Sequence, residues 1–348
     1  MDFREHVPLA PYTTFQIGGP ARWFAEAATE HEIAEAVEFA ARRNLPLLVL
    51  GGGSNLLIKD SGFPGLVLRV VTSGINEMSP TPGFRQFTVA AGENWDRFVS
   101  FAVAHGCGGV ECLAGIPGTV GGTPIQNVGA YGQEVSTTIT SVRALELSTL
   151  KPADLPPEAC RFAYRSSVFN TTQRGQYLLI SVQFRLPIAA NGSLEYKDLK
   201  QHFKDWPALP AVAEVASAVR EIRRSKGMLL VPGDPDCRSA GSFFKNPVMP
   251  IEKLASVAAT AGATPAAVPH FPAGAGLIKI PAAWLLEQAG FHKGYRLGRA
   301  GISSRHTLAL INVDCASAAD ILALRDEIVA GIRSQFAIDL EMEPVLIG

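Results

Sequence analysis

Two glycine-rich stretches carry the first chemistry. Leu50-Gly51-Gly52-Gly53-Ser54-Asn55-Leu56 places consecutive glycines directly after an apolar run. Such a turn lets backbone N–H groups converge on an anion such as a pyrophosphate, although a plain tight turn uses the same residues. Gly115-Ile116-Pro117-Gly118-Thr119-Val120-Gly121-Gly122-Thr123-Pro124-Ile125-Gln126-Asn127-Val128-Gly129-Ala130-Tyr131-Gly132 is small, uncharged and rich in hydrogen-bonding groups. It suits a long cofactor lying on backbone, its phosphates met by N–H and hydroxyl donors. Neither stretch is G-x-G-x-x-G or G-x-x-x-x-G-K-[ST], so the Rossmann and P-loop fingerprints are missing.

Three shorter constellations follow. In Tyr164-Arg165-Ser166-Ser167-Val168-Phe169 an arginine lies among aromatic and apolar residues. It is costly to bury there unless paired, and a surface arginine beside a strand is the alternative. Ser239-Ala240-Gly241-Ser242-Phe243-Phe244-Lys245-Asn246-Pro247 sets a serine beside two aromatics that can exclude water, so its hydroxyl can give a proton to a carbanion. A capped turn fits equally. No G-x-S-x-G elbow surrounds Ser242, which disfavours a hydrolase nucleophile. Leu340-Glu341-Met342-Glu343-Pro344 offers late carboxylates that need a partner to act as acids. Arg220, Arg223, Arg224 and Lys226 cluster on one predicted helix, as a diphosphate clamp or as ordinary charge at a helix C-terminus. The histidines show neither H-x-x-x-H nor H-E-x-x-H spacing, so no metal site is expected.

The elements that must position these groups are legible from pattern. Thr29 to Asn44 reads as a helix with a Thr29/Glu32 capping box and an Ile33, Ala36, Val37, Ala40 stripe. Leu47–Leu50, Leu66–Val71, Gln86–Ala91 and Gln176–Leu186 read as strands. Asn94 caps a second helix that stops at Gly106. Ala211–Lys226 and Ile251–Ala261 are helical, and Pro281 opens a helix that Gly290 closes. His306–Asn312 reads as a strand, Ser317 caps a last helix to about Phe336, and a final strand runs through Met342 to Ile347. Strands and helices mix without a strict βαβ rhythm, so the class is α+β. Boundaries are expected near Val71–Gly74 and in Gly227–Pro235.

Composition sets the limits. The 348 residues carry 31 Lys+Arg against 32 Asp+Glu, net −1, which argues against a nucleic-acid partner. Hydrophobic residues reach 47%, enough for a large core, and charged residues only 18%, the difference going to 33 glycines and 24 prolines. Five cysteines without C-x-x-C predict no disulfide framework or zinc ribbon and fit the reduced cytosol. Met1 to Pro11 lacks the apolar core of a signal peptide. The charge-free window from Cys112 to Gln133 holds six glycines and two prolines, so it is not a bilayer helix.

Taken in order, these motifs resemble the UDP-N-acetylenolpyruvoylglucosamine reductase (MurB) family of peptidoglycan synthesis. The likeness runs from Thr14-Phe15-Gln16-Ile17-Gly18-Gly19-Pro20-Ala21 through both glycine-rich stretches, the Arg165 and Ser242 motifs, Ala283-Trp284-Leu285-Leu286-Glu287-Gln288-Ala289-Gly290, Gly301-Ile302-Ser303 and His306–Asn312. Leu194-Glu195-Tyr196-Lys197-Asp198-Leu199 is similar to the loop of the longer, type I branch.

The resemblance implies an FAD-binding domain of the vanillyl-alcohol-oxidase (PCMH) type in two subdomains, 1–72 and 73–227. A C-terminal α/β substrate-binding domain, 228–337, and a final strand, about 338–348, joined to the first subdomain complete it. It implies non-covalent FAD, since no histidine in either glycine-rich loop suits covalent attachment. FAD falls to Gly51, Gly52, Gly53, Ser54, Asn55, Leu56, Ile116, Pro117, Gly118, Thr119, Gly121, Gly122, Thr123, Ile125, Asn127, Gly129 and Ala130. NADPH is the implied co-substrate. Hydride passes from flavin N5 to C3 of UDP-N-acetylglucosamine enolpyruvate, C2 is protonated, and UDP-N-acetylmuramate results. Arg165 and Glu343 carry over as the groups that polarise the carboxylate, Glu343 only if protonated. Ser242 carries over as the acid, with Lys245 or a water helping its hydroxyl ionise. Tyr131, Tyr196, Arg223, Lys226 and Asn246 carry over to the sugar and diphosphate. The family ending Leu-Glu-Pro-Glu-Val is replaced here by Leu-Glu-Met-Glu-Pro; Glu343 is chosen by counting back from Ile347-Gly348, with Glu341 the competing carboxylate. A monomeric cytoplasmic enzyme is expected, with no metal, membrane or nucleic-acid partner.

Overall fold

The computed structural model describes residues 1–78 and 81–348. The chain forms two compact units. The first comprises Met1–Val7, Ala21–Gly53 and Pro64–Ser225; the second comprises Pro8–Pro20, Ser54–Phe63 and Lys226–Gly348.

The chain opens with strands β1 (Arg4–Pro8) and β2 (Pro20–Ala27), helix α1 (Glu30–Arg42), and strands β3 (Leu47–Leu50), β4 (Leu56–Ile58) and β5 (Phe63–Val70). Four of them form a sheet in the order β1-β2-β5-β3, with β3 and β5 parallel. α1 starts where the capping box places it: the Thr29 hydroxyl accepts the Glu32 N–H, and the Glu32 carboxylate accepts the Thr29 N–H. Its buried stripe of Ile33, Ala36, Val37 and Ala40 shares a core with Leu66, Leu68 and Val70 of β5.

Next come β6 (Ile75–Glu77), β7 (Phe84–Ala90), α2 (Trp95–Ala104), β8 (Gly129–Ala130), β9 (Gln133–Glu134), β10 (Ile139–Glu146), β11 (Lys151–Leu155), α3 (Pro157–Cys160), β12 (Tyr177–Pro187), α4 (Lys197–His202) and α5 (Val212–Ser225). An antiparallel sheet runs β11-β10-β12-β7-β6. The Asn94 side chain accepts the Arg97 N–H and starts α2. Trp95, Phe98 and Phe184 are fully buried between α2 and β12, and the Trp95 indole N–H donates to the Leu113 carbonyl at 3.0 Å. That satisfied indole lets a large aromatic anchor the core with no orphaned donor.

The second unit holds β13 (Val248–Pro250), α6 (Leu254–Thr260), β14 (Phe271–Pro272), β15 (Leu277–Lys279), α7 (Ala282–Gln288), β16 (Arg296–Leu297), β17 (Ala300–Ile302), β18 (Leu310–Asn312), α8 (Ala318–Phe336) and β19 (Val345–Ile347). Small sheets run β13-β15-β14 and β16-β17-β18. Ile321, Leu324, Ile328 and Ile332 of α8 recur at helical spacing and share one core with Phe15, Phe243 and Phe244. β19 pairs in parallel with β4, Val345 opposite Leu56.

Some expectations are corrected in detail. A strand does not fill His306–Asn312; β18 begins at Leu310. The Ser303 hydroxyl accepts the N–H groups of Arg305 and His306, and the Ala309 N–H turns back to the His306 carbonyl, so the chain turns first. The last strand is similarly short, with Met342 forming only an isolated bridge to Phe244. The first unit takes in most of the two segments expected as FAD subdomains, but Pro8–Pro20 and Ser54–Phe63 of the first segment group with the second unit. The final strand does meet the 1–72 segment at β4, and both strands fall in the second unit. Among the described residues no helix is long and apolar enough to cross a membrane, and no group of three or more His, Cys, Asp or Glu is placed to hold a metal ion.

Asp236 ties the segment after α5 to the turn before β18. Its carboxylate accepts the Ser304 N–H at 3.1 Å, the Ser304 hydroxyl at 2.6 Å and Arg305 Nε at 2.9 Å. Burial pushes this carboxyl up, but the hydrogen bonds from Ser304 and Arg305 outweigh it and hold the pKa below the ordinary value. A depressed carboxylate contributes stability above its unfolded pKa, about 3.9, and loses it as pH falls through the folded value. Asp236→Asn is therefore expected to melt lower at neutral pH and to lose less on acidification below about pH 4. Melting temperature against pH checks this; parallel curves for the two proteins would remove Asp236 from acid unfolding.

Candidate active site

The first glycine-rich stretch leaves the end of β3 and lies against the second. A Cβ at Gly51 would sit 2.5 Å from Thr119 Oγ1, and one at Gly52 would sit 2.5 Å from Gly118 Cα. Gly53 takes φ +62, in the left-handed region that glycine favours. The second stretch is fastened beside the start of α2. Trp95 N–H donates to the Gly118 carbonyl at 3.1 Å, Val120 N–H to Glu93 at 2.9 Å and Gly121 N–H to Ala91 at 2.8 Å. Two motifs distant in sequence thus form one glycine-rich strip.

That strip fits FAD. Among the described residues the N–H groups of Gly52 and Gly53 meet no protein acceptor, as an anion cradle requires. Ile116, Ile125 and Ala130 are partly buried and pack against the core beneath the second sheet. Other expected contacts are committed within the protein. The Thr123 hydroxyl donates to the Val120 carbonyl at 2.8 Å, and the Asn127 amide donates to Glu134 and Ala163. Gly52→Ala is expected to weaken FAD binding about tenfold to a hundredfold, since the new methyl collides with backbone. Flavin fluorescence on dilution reads the release; parent-like retention would mean the cradle can open.

Arg165 is held by this same strip. Its Nη2 donates to the Gly129 carbonyl at 2.9 Å, the Ser167 hydroxyl donates to Ile125 at 2.6 Å, and Asn127 reaches Ala163 at 3.1 Å. Three stitches fix the arginine loop on the glycine-rich stretch. Asn127, Tyr131 and Arg165 all have positive φ, at 45, 48 and 53°. Left-handed non-glycine backbone stores strain, and such residues cluster at functional sites.

Tyr131, Tyr196 and Arg223 come together in the first unit. The tyrosine rings meet edge to face at 5.3 Å. Arg223 is buried and hydrogen-bonded to Tyr131, and its Nε donates to the Gly115 carbonyl at 3.0 Å. Burial lowers its pKa, opposed by Tyr131 and Asp96. Arg220 is spent on Asp96 and Ser100. Both arginines are engaged within the protein, because α5 turns Arg220 onto α2 and Arg223 onto Gly115.

Sequence reading missed two carboxylates here. Glu111 is buried and accepts the N–H groups of Gly109 at 2.6 Å and Ser193 at 3.0 Å, which anchors the segment leading to Tyr196. Asp96 holds the Gly115 N–H at 2.6 Å. An acid in the first turn of a helix reads as a dipole partner, so neither residue carries a signal of its tertiary role.

The second unit positions Ser242. Phe243 and Phe244 are core residues, 0% and 1% exposed, with Phe15 edge-on to Phe243. The Thr14 hydroxyl donates to the Ser239 carbonyl at 2.5 Å. Opposite this segment runs the C-terminal carboxylate segment. Phe244 bridges Met342, Glu343 N–H donates to Phe243 at 2.8 Å and Lys245 N–H to Glu341 at 2.9 Å. The Asn55 amide donates to the Glu343 carbonyl at 3.4 Å, and Val345 N–H to Asn55 at 2.9 Å. Glu341 points outward, 72% exposed, in an ion pair with Lys245. Lys245 is thereby directed to a carboxylate rather than to the serine. Asn246 Oδ1 accepts the Ala282 N–H at 2.9 Å and caps α7, and Lys226 is half-buried at the start of this unit.

Comparison with known proteins gives the family. An FAD binding domain model matches residues 21–150, and a model of the UDP-N-acetylenolpyruvoylglucosamine reductase C-terminal domain matches residues 234–347. The UDP-N-acetylenolpyruvoylglucosamine reductase of Thermobifida fusca is 44% identical, over 99% of this chain and 98% of that protein. The Streptomyces coelicolor protein of that name is 44% identical, over 98% of this chain and 89% of the relative. The crystal structure of UDP-N-acetylenolpyruvylglucosamine reductase from Thermus caldophilus superposes with a TM-score of 0.66 at 25% identity, over 100% of both chains. The chain belongs to the UDP-N-acetylenolpyruvoylglucosamine reductase family.

Proposed function

We propose that this protein is an FAD-dependent enzyme that uses NADPH to reduce UDP-N-acetylglucosamine enolpyruvate to UDP-N-acetylmuramate in peptidoglycan precursor synthesis. One observation carries the reading: the backbone of Glu343 is bonded both to Asn55, at the end of the first glycine-rich stretch, and to Phe243, beside Ser242. The segments that carry the carboxylate and the hydroxyl are thus bonded to each other, and the first of them to the end of the first glycine-rich stretch.

FAD, when bound, would supply the two-electron chemistry that forms a C–H bond at C3 of the enolpyruvyl group, with NADPH the source of the hydride. As that bond forms, negative charge develops at C2 and spreads into the carboxylate. Arg165 offers a guanidinium fork to that carboxylate, and a protonated Glu343 adds a second donor. Stabilising a developing anion with placed donors is worth about 2.7–4 kcal/mol for each. Ser242 then delivers its proton to C2 and is reprotonated from solvent. Tyr131 and Tyr196 hold the nucleotide-sugar, with Arg223 acting behind Tyr131. The sum is one hydride from NADPH and one proton, giving NADP⁺ and the saturated lactyl ether.

The test is anaerobic. Reduction by NADPH should bleach the yellow protein, and the enolpyruvyl sugar alone should restore its colour. Ser242→Ala should bleach at the parent rate and recolour about a hundredfold more slowly with the sugar. Recolouring only with oxygen would make the protein an oxidase, and fast recolouring of Ser242→Ala would give the proton to another group.

A further inference from the structure

Asp96 is the second residue of α2, yet its carboxylate is turned toward the glycine-rich strip. One oxygen accepts both the Gly115 N–H at 2.6 Å and Arg220 Nη2 at 2.7 Å, while the other faces Arg220 Nε at 3.4 Å. On the far side of Gly115, its carbonyl accepts Arg223 Nε at 3.0 Å. Gly115 takes φ +70, and Ile116, Pro117 and Gly118 follow directly, up to the close approach of Gly118 to Gly52. Arg223 in turn is hydrogen-bonded to Tyr131 and attracted to Asp96.

We propose that Asp96 is a positioning residue that sets the FAD strip and Tyr131 together, by fixing the Ala114–Gly115 peptide and offsetting the buried charge of Arg223. The proposal rests on the reading above, in which residues 115–130 hold FAD and Tyr131 meets the sugar. Charge-assisted bonds hold the peptide groups on both sides of Gly115: Asp96 accepts the N–H of the Ala114–Gly115 peptide and Arg223 donates to the carbonyl of the Gly115–Ile116 peptide, so rotation of either breaks one of them. A buried guanidinium is tolerated only with a partner charge, so the carboxylate that orders the strip also keeps Arg223 facing Tyr131. Arg220 shares that carboxylate and fixes α5 against α2. The cofactor strip and the sugar-contacting tyrosine therefore respond to one group that touches neither FAD nor sugar.

The test uses the FAD-loaded protein carrying Asp96→Asn, which keeps the size and removes the charge. Flavin fluorescence on dilution should show FAD release at about tenfold higher protein concentration than in the parent. The sugar KM should rise about tenfold while the rate of flavin reduction by NADPH is kept. Tyr131→Phe should add little to Asp96→Asn, because both act through Arg223. Parent-like FAD retention in folded Asp96→Asn, or KM effects of the two variants that multiply, would overturn the proposal. A second reading needs no variant: in the parent holoenzyme the Gly115 amide should exchange with solvent about a hundredfold more slowly than a free amide, and rapid exchange would overturn it as well. If the parent holds FAD but does not reduce the sugar, the reductase reading fails, while FAD release and amide exchange still decide the case for Asp96.

Discussion

Arg165→Ala is expected to retain FAD, to be reduced by NADPH at the parent rate, and to lose about a thousandfold in kcat with the enolpyruvyl sugar. The guanidinium spends one nitrogen on the Gly129 carbonyl, and the loop around it is fixed independently by Ser167 on Ile125 and by Asn127 on Ala163. Truncation therefore removes the donor without releasing the loop. The arginine is also prepaid: its backbone is held at φ 53° before substrate arrives, so positioning costs little during the reaction. Arg165→Lys tests the geometry separately, since a point charge cannot present a planar fork to a carboxylate. It should recover little of the lost rate. Single-turnover recolouring of the reduced protein is the measurement, and parent-like turnover in Arg165→Ala would take this residue out of the chemistry.

Much of the local structure is legible in the residues themselves. The capping pairs at Thr29/Glu32 and Ser317/Asp320 and the single cap at Asn94 start α1, α8 and α2 where expected, because a cap is a contact between neighbours in sequence. The glycine-rich stretches are legible as turns poor in side chains for the same reason. Their meeting at Gly52 and Gly118 is not, since nothing in either stretch encodes its partner. The same limit explains Asp96 and Glu111, whose carboxylates accept backbone N–H groups 19 and 82 residues away. The basic face of α5 misleads in the opposite sense. A run of arginines suggests solvent or diphosphate, but helical spacing turns Arg220 and Arg223 inward. The strand expected over His306–Asn312 fails at its start because the Ser303 hydroxyl captures the N–H groups of Arg305 and His306, and a side chain competing for backbone donors breaks a ladder that β propensity alone would extend.

Glu343→Gln and Glu341→Gln are expected to separate sharply, the first losing about a hundredfold to a thousandfold in kcat and the second staying within about twofold of the parent. Sequence alone leaves both carboxylates in play, two residues apart and of equal chemistry. The register gives them different surroundings. Phe244 faces Met342, which puts Glu343 opposite Phe243 and Glu341 opposite Lys245. Glu341 is 72% exposed and its charge is answered by Lys245, and an exposed pair of this kind contributes little to anything else. Glu343 is less exposed and has its backbone tied to Asn55 and to the residue after Ser242, so its carboxyl is carried on the segment that also fixes the serine and the end of the first glycine-rich stretch. The amide of Gln can still donate a hydrogen bond but cannot share a proton with the substrate carboxylate. A large loss in Glu343→Gln therefore reports the proton and not merely the hydrogen bond. Both variants should hold FAD and accept electrons from NADPH as the parent does, so the loss must appear only when the enolpyruvyl sugar reoxidises the protein. An inactive Glu341→Gln beside an active Glu343→Gln would reverse the assignment and would require the Lys245 ion pair to open for catalysis.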